Sequence, residues 1–266
     1  MIHTIISNKS TRLFLILSGV FITNALIAEV IGVKIFSLEA TLGFEPFSFS
    51  LFGRDSLSFS LTAGVLLWPV VFIMTDIINE YYGTRGVKFL SYMTVVLIAF
   101  AFLVFLAAIY LVPPDWWLGS NKERGVDNMQ AAYAGVLGQS NWIIIASMVA
   151  FLIGQLVDVL VFHRIKKATG ETKIWLRATG STLVSQFIDS FVVLFIAFYI
   201  GGSWSWQQVL ATGTVNYIYK FLVAILLTPV IYLVHARIEK YLGGALAAQM
   251  KKAAMNSEEE VKLAEE

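Results

Sequence analysis

Six apolar runs, at about residues 12–35, 58–80, 88–112, 141–162, 181–201 and 208–234, constrain this 266-residue chain more than any other feature. Each reaches or exceeds the ~20 apolar residues that cross ~30 Å of hydrocarbon at 1.5 Å per residue. The expected fold is an all-α membrane protein with six transmembrane helices. Only 14% of residues are charged and the mean hydropathy is +0.74, where soluble domains carry roughly 25% charged residues. Lys9 and Arg12 precede the first run, but no small-residue cleavage site follows and the apolar stretch continues past Asn24 to Phe36. It is therefore expected to be a retained helix, not a signal peptide.

Lys and Arg set the orientation. Fourteen of the nineteen fall at the N-terminus, at Arg85 and Lys88, in the 164–177 loop, or after the sixth run. The opposite side has only Arg54, Lys122 and Arg124, and Lys34 and Lys220 lie inside spans. Positive charge stays inside, so both termini are expected in the cytoplasm. Residues 1–250 then form one membrane domain, followed by a charged tail, 251–266, expected to fray or be disordered. Residues 36–57 alternate polar and apolar, as an interfacial hairpin does, and VDNMQAAYAGVLGQ suits a short helix on the outer surface.

The same census excludes several chemistries. A net charge of +1 gives no argument for nucleic acid, and the absence of cysteine removes disulfides, thiol catalysis and thiolate metal sites. Three histidines are too few for a histidine metal site, and His163 and His235 stand beside Arg164 and Arg237 at segment ends, where a rhomboid-like Ser/His pair is not built. The Tyr-Asp and Gly-x-Gly-Asp settings of intramembrane aspartyl proteases and the Walker loop are also missing. Neither an enzyme, a cofactor nor a metal is expected; transport is.

Polar residues inside the spans point to where. MTDIINEYYG, residues 74–83, places Asp76, Asn79 and Glu80 on one helical face. Glu80 sits near a helix C-terminus, where the backbone dipole disfavours an acid. Span four reads IGQLVDVLV and span five VSQFIDSFV, so Gln155-x-x-Asp158 is echoed by Gln186-x-x-Asp189 in an apolar frame. Paired repeats facing one cavity are a common transporter arrangement. Asn24, Asp189 and Lys220 fall near the midplane, with Asp76 and Asp158 roughly 10 Å towards the cytoplasm at 1.5 Å per residue. Such charges cost at least ~2.5–3.5 kcal/mol each and normally face protein or water. Glu29, Asp76, Glu80, Asp158 and Asp189 outnumber Lys34 and Lys220, an acceptor excess that suits a donor-rich ligand or proton uptake. Plainer roles stay open: an Asp189–Lys220 ion pair locking two helices, Glu80 reaching headgroup water or Arg85, Asn24 bonding a neighbouring helix, and glutamines that only orient the aspartates. Trp68-Pro69 and Thr228-Pro229 each free a backbone carbonyl and are expected to kink their helices.

The strings TDIINEYYGTRGVK (75–88), LVDVLVFHRIKKATG (156–170) and WLRATGSTLV followed by SQFIDSFV (175–192) resemble the bacterial queuosine precursor transporter family. The resemblance runs from span one to span six. It implies a six-helix inner-membrane protein that imports 7-deazaguanine bases for tRNA modification. A guanine-like edge offers N1–H and N2–H₂ to one carboxylate, and an amide suits its O6. On that reading Asp189, Gln186, Asp158 and Gln155 contact substrate, Lys220 tunes Asp189, and Asn79 and Asn24 join the substrate site. Asp76 and Glu80 line the cytoplasmic exit, and Phe187, Tyr217 and Tyr219 supply stacking. The expected partners are a small molecule and the lipid bilayer. The alternative is a substrate-binding membrane subunit that needs a separate ATPase complex.

Overall fold

The computed structural model describes residues 7–170 and 174–265. Its helices, in chain order, are α1 Lys9–Ile31, α2 Trp68–Ile109, α3 Met129–Leu137, α4 Asn141–Thr169, α5 Ile174–Leu194, α6 Trp206–Leu242 and α7 Gly244–Glu265. Short helical turns at Leu38–Thr41 and Asp115–Leu118 sit in the connections. Five helical elements are long and apolar enough to cross a membrane. The protein is an all-α, multi-pass membrane protein.

Runs two and three fall on a single 42-residue element, α2, and Gly83 divides it. Its backbone, φ 70° and ψ −175°, leaves the helical basin. A Cβ built at Gly86 stands 3.4 Å from Ile78 Cγ2, although eight residues of straight helix separate two positions by about 12 Å. The two legs, 68–82 and 84–109, therefore fold against each other. Tyr82 at the corner donates to the Ser10 carbonyl at the start of α1 (2.7 Å).

The first leg also begins later than the apolar run does. Residues 60–62 form strand β4, paired antiparallel with β1 (Ile35–Ser37), and Ala63–Leu66 is a 3₁₀ turn. Between them β2 (Phe49–Leu51) and β3 (Arg54–Leu57) make a hairpin. Ala63 N–H donates to the Lys34 carbonyl (2.7 Å), and the Gly64 backbone lies so close to α1 that a Cβ there would meet the Ala28 carbonyl at 2.7 Å. These contacts hold non-helical backbone against the bundle, with the Ala63 N–H satisfied by the Lys34 carbonyl. Pro69 consequently starts α2 instead of kinking it, because a helix's first turn has no use for its missing N–H. Pro229 does lie inside α6, where the Thr228 hydroxyl donates to the Ala224 carbonyl (3.1 Å).

Packing follows from the apolar stripes. Leu13, Leu17, Phe21 and Ala25 of α1 bury against Val71, Ile77, Ile78 and Tyr81 of α2. α4 and α5 pack as a pair, α5 continuing as a π-helical turn, Phe195–Ile200. Small residues permit close approach: Gly213 of α6 lies under the Phe191 ring, and Gly154 of α4 under Asp189. Helix α7 packs back on α2 through Ala247 and Met250, with the Lys251 ammonium 5.5 Å from the Tyr81 ring centre and bonded to Glu239. Asn128 caps α3 by accepting from Ala131 N–H (3.0 Å).

Candidate functional site

The first leg of α2, α5 and α6 enclose a cavity with about 480 Å³ of unfilled space, open mouth included. Its walls are mostly apolar: Trp68, Phe72 and Ile73 from α2, and Ala224, Leu227 and Ile231 from α6. Five polar side chains break this surface, Asp76, Thr179, Thr182, Gln186 and Lys220. Asp76 is 1% exposed. The Thr182 hydroxyl reaches its Oδ2 at 3.4 Å, and its Oδ1 has no hydrogen-bond partner. Gln186 is also buried, with Nε2 unpartnered. Buried polar atoms are usually satisfied, so an open carboxylate oxygen and an open amide donor in one cavity mark a place for a ligand.

Lys220 closes one end through its ion pair with Asp189 (2.5 Å), the more exposed member of the Gln-x-x-Asp echo. Its counterpart Asp158 lies behind the cavity, fully buried, accepting from the Ser185 hydroxyl (3.1 Å). Gln155 is buried beside it, its Oε1 2.9 Å from the Thr75 hydroxyl. Neither Asp158 nor Gln155 lines the cavity. Thr182 and Ser185, almost one turn apart on α5, thus hold the two carboxylates, Asp76 and Asp158, as neighbours.

Towards the Gly83 corner lies a separate layer. Glu80 pairs with Arg177 (2.7 Å) and Lys166 (3.1 Å), all three essentially buried. This resolves the acid near a helix end: its partners are two cations counted above as loop charges, not Arg85 or headgroup water. Arg177 also donates to the Gly170 carbonyl (2.8 Å). Asn79 Oδ1 lies 2.7 Å from His163 Nε2, and the Tyr81 hydroxyl lies 3.2 Å from His235 Nδ1. Both histidines are buried in the helix packing instead of ending the segments. Asn79 and Glu80 are not cavity-lining residues. Nor is Asn24, whose amide donates to the Val20 carbonyl of its own helix (2.8 Å).

The aromatic contribution differs from the expected one. Phe187 and Tyr217 meet each other edge-on at 5.2 Å, with Phe187 half-exposed on the outside of the bundle; Trp68 and Phe72 supply the rings in the cavity. Sequence reasoning passed over Thr182, Lys166 and Arg177. A signal existed: Arg177, Ser181 and Ser185 recur every four residues as one fully buried stripe of α5, and Asp158, Phe162 and Lys166 do the same on α4.

Residues 62–234 match the model of the family described as "Putative vitamin uptake transporter". The chain belongs to that family. All cavity-lining residues of this vitamin uptake transporter family member, from Val65 to Ile231, fall inside the matched segment. It is 28% identical over 181 residues to the "Probable queuosine precursor transporter" of Bacillus subtilis, covering 65% of this chain and 72% of the relative. A protein of the same name from Haemophilus influenzae is 26% identical, covering 67% and 69%. The "Queuosine precursor transporter" of Escherichia coli is 25% identical, covering 64% and 70%. No solved structure matches the chain.

Proposed function

We propose that this protein imports queuosine precursors, 7-deazaguanine bases that feed tRNA modification, across a bacterial inner membrane. Three relatives carry that name over two thirds of their length, and the cavity offers what such a base needs. The observation that carries the reading is that Asp76 Oδ1 and Gln186 Nε2 are both buried and unpartnered in the lining of one apolar-walled cavity. Asp76 accepts from the adjacent N1–H and N2–H₂ donors, Gln186 donates to O6, and Trp68 and Phe72 cover the flat ring. Lys220, held by Asp189, bounds the site. In this reading the chain crosses the membrane six times with both termini in the cytoplasm. The second crossing is composite: leg 68–82 spans only about 22 Å at 1.5 Å per residue, and the 60–66 segment extends it.

The test is queuosine in tRNA of a strain that makes no precursor and lacks its own importer, supplied with 7-cyano-7-deazaguanine. The intact protein should restore queuosine without any added partner. Asp76→Asn should cut the uptake rate about ten- to hundredfold, the worth of a hydrogen bond to a charged group, ~1.5–3 kcal/mol. Uptake at the wild-type rate by a well-inserted Asp76→Asn/Gln186→Leu protein removes this site assignment. No uptake by inserted wild type removes the function.

A further inference from the structure

Behind the cavity the hydrogen-bond protons run out before the acceptors do. Asp76 and Asp158 are buried, and among the described residues no salt bridge reaches either; Asp76 Oδ1 and Asp158 Oδ2 have no partner. A hydroxyl has one proton to donate, yet Ser185 Oγ stands within reach of both Asp158 Oδ1 (3.1 Å) and the Thr182 carbonyl (3.0 Å). Thr75 faces the same shortage between the Val71 carbonyl (3.0 Å) and Gln155 Oε1 (2.9 Å). The Thr75 shortage is relieved if Gln155 presents its amide the other way round. Nε2 then donates to the Thr75 oxygen, the Thr75 proton goes to Val71, and Oε1 becomes one more open acceptor. It sits three residues before Asp158, on the same helical face.

Two anions, an open amide oxygen and the oversubscribed Ser185 hydroxyl in a dry interior are expensive unless a positive charge joins them. We propose that Asp76 and Asp158, with Ser185, Thr182 and the Gln155 carbonyl, form the site of one monovalent positive charge, Na⁺ or a proton, whose gradient drives import. The donor set is all oxygen, which suits either. The surrounding charges do not supply it. Glu80 of α2 is engaged with Lys166 of α4 and Arg177 of α5, Lys220 of α6 with Asp189 of α5, and Glu29 of α1 accepts from Ser147 of α4 (2.8 Å). His163 of α4 is turned to Asn79. Because Asp76 belongs to both this cluster and the cavity wall, a charge arriving at Asp158 alters the acceptor that meets the base. Two ligands that share one residue are linked, each changing the other's affinity by the same factor.

The driving half of this inference rests on the import reading; the binding half does not, and the experiment separates them. First, the purified protein without base is melted in NaCl against choline chloride, and at pH 6 against pH 8. An ion that binds only the folded state stabilises it by RT ln(1 + [L]/Kd). Wild type should gain Tm with one of the two ions, and Asp158→Asn should lose that gain. Second, proteoliposomes are given 7-cyano-7-deazaguanine with an inward Na⁺ gradient or an inward proton gradient. One gradient should drive accumulation at least tenfold above equilibrium, and Asp158→Asn should still bind base but only equilibrate it. Should Asp158→Asn fail to insert, Ser185→Ala takes its place, with a several-fold rise in the ion concentration for half-maximal drive. An equal Tm in all four conditions, or gradient drive unchanged in these variants, overturns the proposal. Ion stabilisation without any base uptake removes the import reading and leaves the ion site standing.

Discussion

Gly83 is the residue on which the arrangement of α2 turns, and replacing it tests the fold most directly. At φ 70° and ψ −175° it occupies a region essentially confined to glycine. Alanine there costs about 1–3 kcal/mol of backbone strain. For chains of this size each kcal/mol shifts Tm by roughly 2–4 °C, so Gly83→Ala should lower the melting temperature in detergent by about 2–12 °C. Asparagine should fare no better, because the left-handed basin it tolerates lies at ψ of roughly +30 to +60°, far from this corner. The strain has a second outlet. An α-helical alanine would fuse the legs into one rod of about 63 Å, twice the hydrocarbon thickness, and misplace everything after it. The chain has no cysteine, so single cysteines at Ser120 and Lys252, on opposite sides in the proposed topology, report sidedness without background labelling. Gly19→Ala is the control: its added Cβ meets nothing within 4 Å, and mid-helix it should gain about 0.5–1 kcal/mol. A Gly83→Ala protein with wild-type Tm, labelling and uptake refutes the corner as described.

Three further outcomes follow from individual contacts. Glu80→Gln removes the carboxylate from Lys166 and Arg177 and should cost about 3–5 kcal/mol, a Tm loss larger than that of Lys166→Met, which leaves the Glu80–Arg177 bond in place. Gly201→Ala drives a Cβ against Trp142 Cγ and Cβ; the resulting overpacking, about 1–3 kcal/mol, should be partly reversed when Trp142→Gly removes both atoms, as melting of the double variant against Trp142→Gly alone will report. Lys220→Met and Asp189→Asn should each slow uptake, and together cost less than the sum of the two, since a broken pair leaves one charge stranded in either single variant.

The helices were legible because length and hydropathy alone set them; the boundaries that failed did so for identifiable reasons. Residues 58–67 are as apolar as a span, and hydropathy does not distinguish a helix from a strand and 3₁₀ turn buried against α1. The bond that decides it, Ala63 N–H to Lys34, joins residues far apart in the chain. Pro69 looked like a kink only because the helix was drawn from Ser58. Charge counting correctly marked the 164–177 region as basic but gave no depth, so Lys166 and Arg177 passed for loop charges while Glu80 lacked partners. Asp76, Gln186 and Lys220 were all legible as intramembrane polar residues. Which of them share a cavity was not, since that depends on how α5 is rotated between α2 and α4.

The Gln-x-x-Asp echo shows how one local pattern acquires two chemistries from its neighbours. Both glutamines are buried, and both aspartates follow at the same spacing. Asp189 faces α6, where Lys220 supplies a fixed counter-charge at 2.5 Å. Asp158 faces α5 and α2, where it meets a serine hydroxyl and another carboxylate. A fixed ion pair costs little to keep through a transport cycle, because neither charge is ever alone. An uncompensated acid is costly in every state that leaves it empty, and that cost is what makes an arriving ion's binding favourable. Exchanging the two settings is therefore informative: a lysine introduced at Ser185 should pair with Asp158, abolish dependence on either ion, and leave a protein that equilibrates base without accumulating it. If Ser185→Lys still concentrates its substrate, Asp158 is structural and the driving charge binds elsewhere.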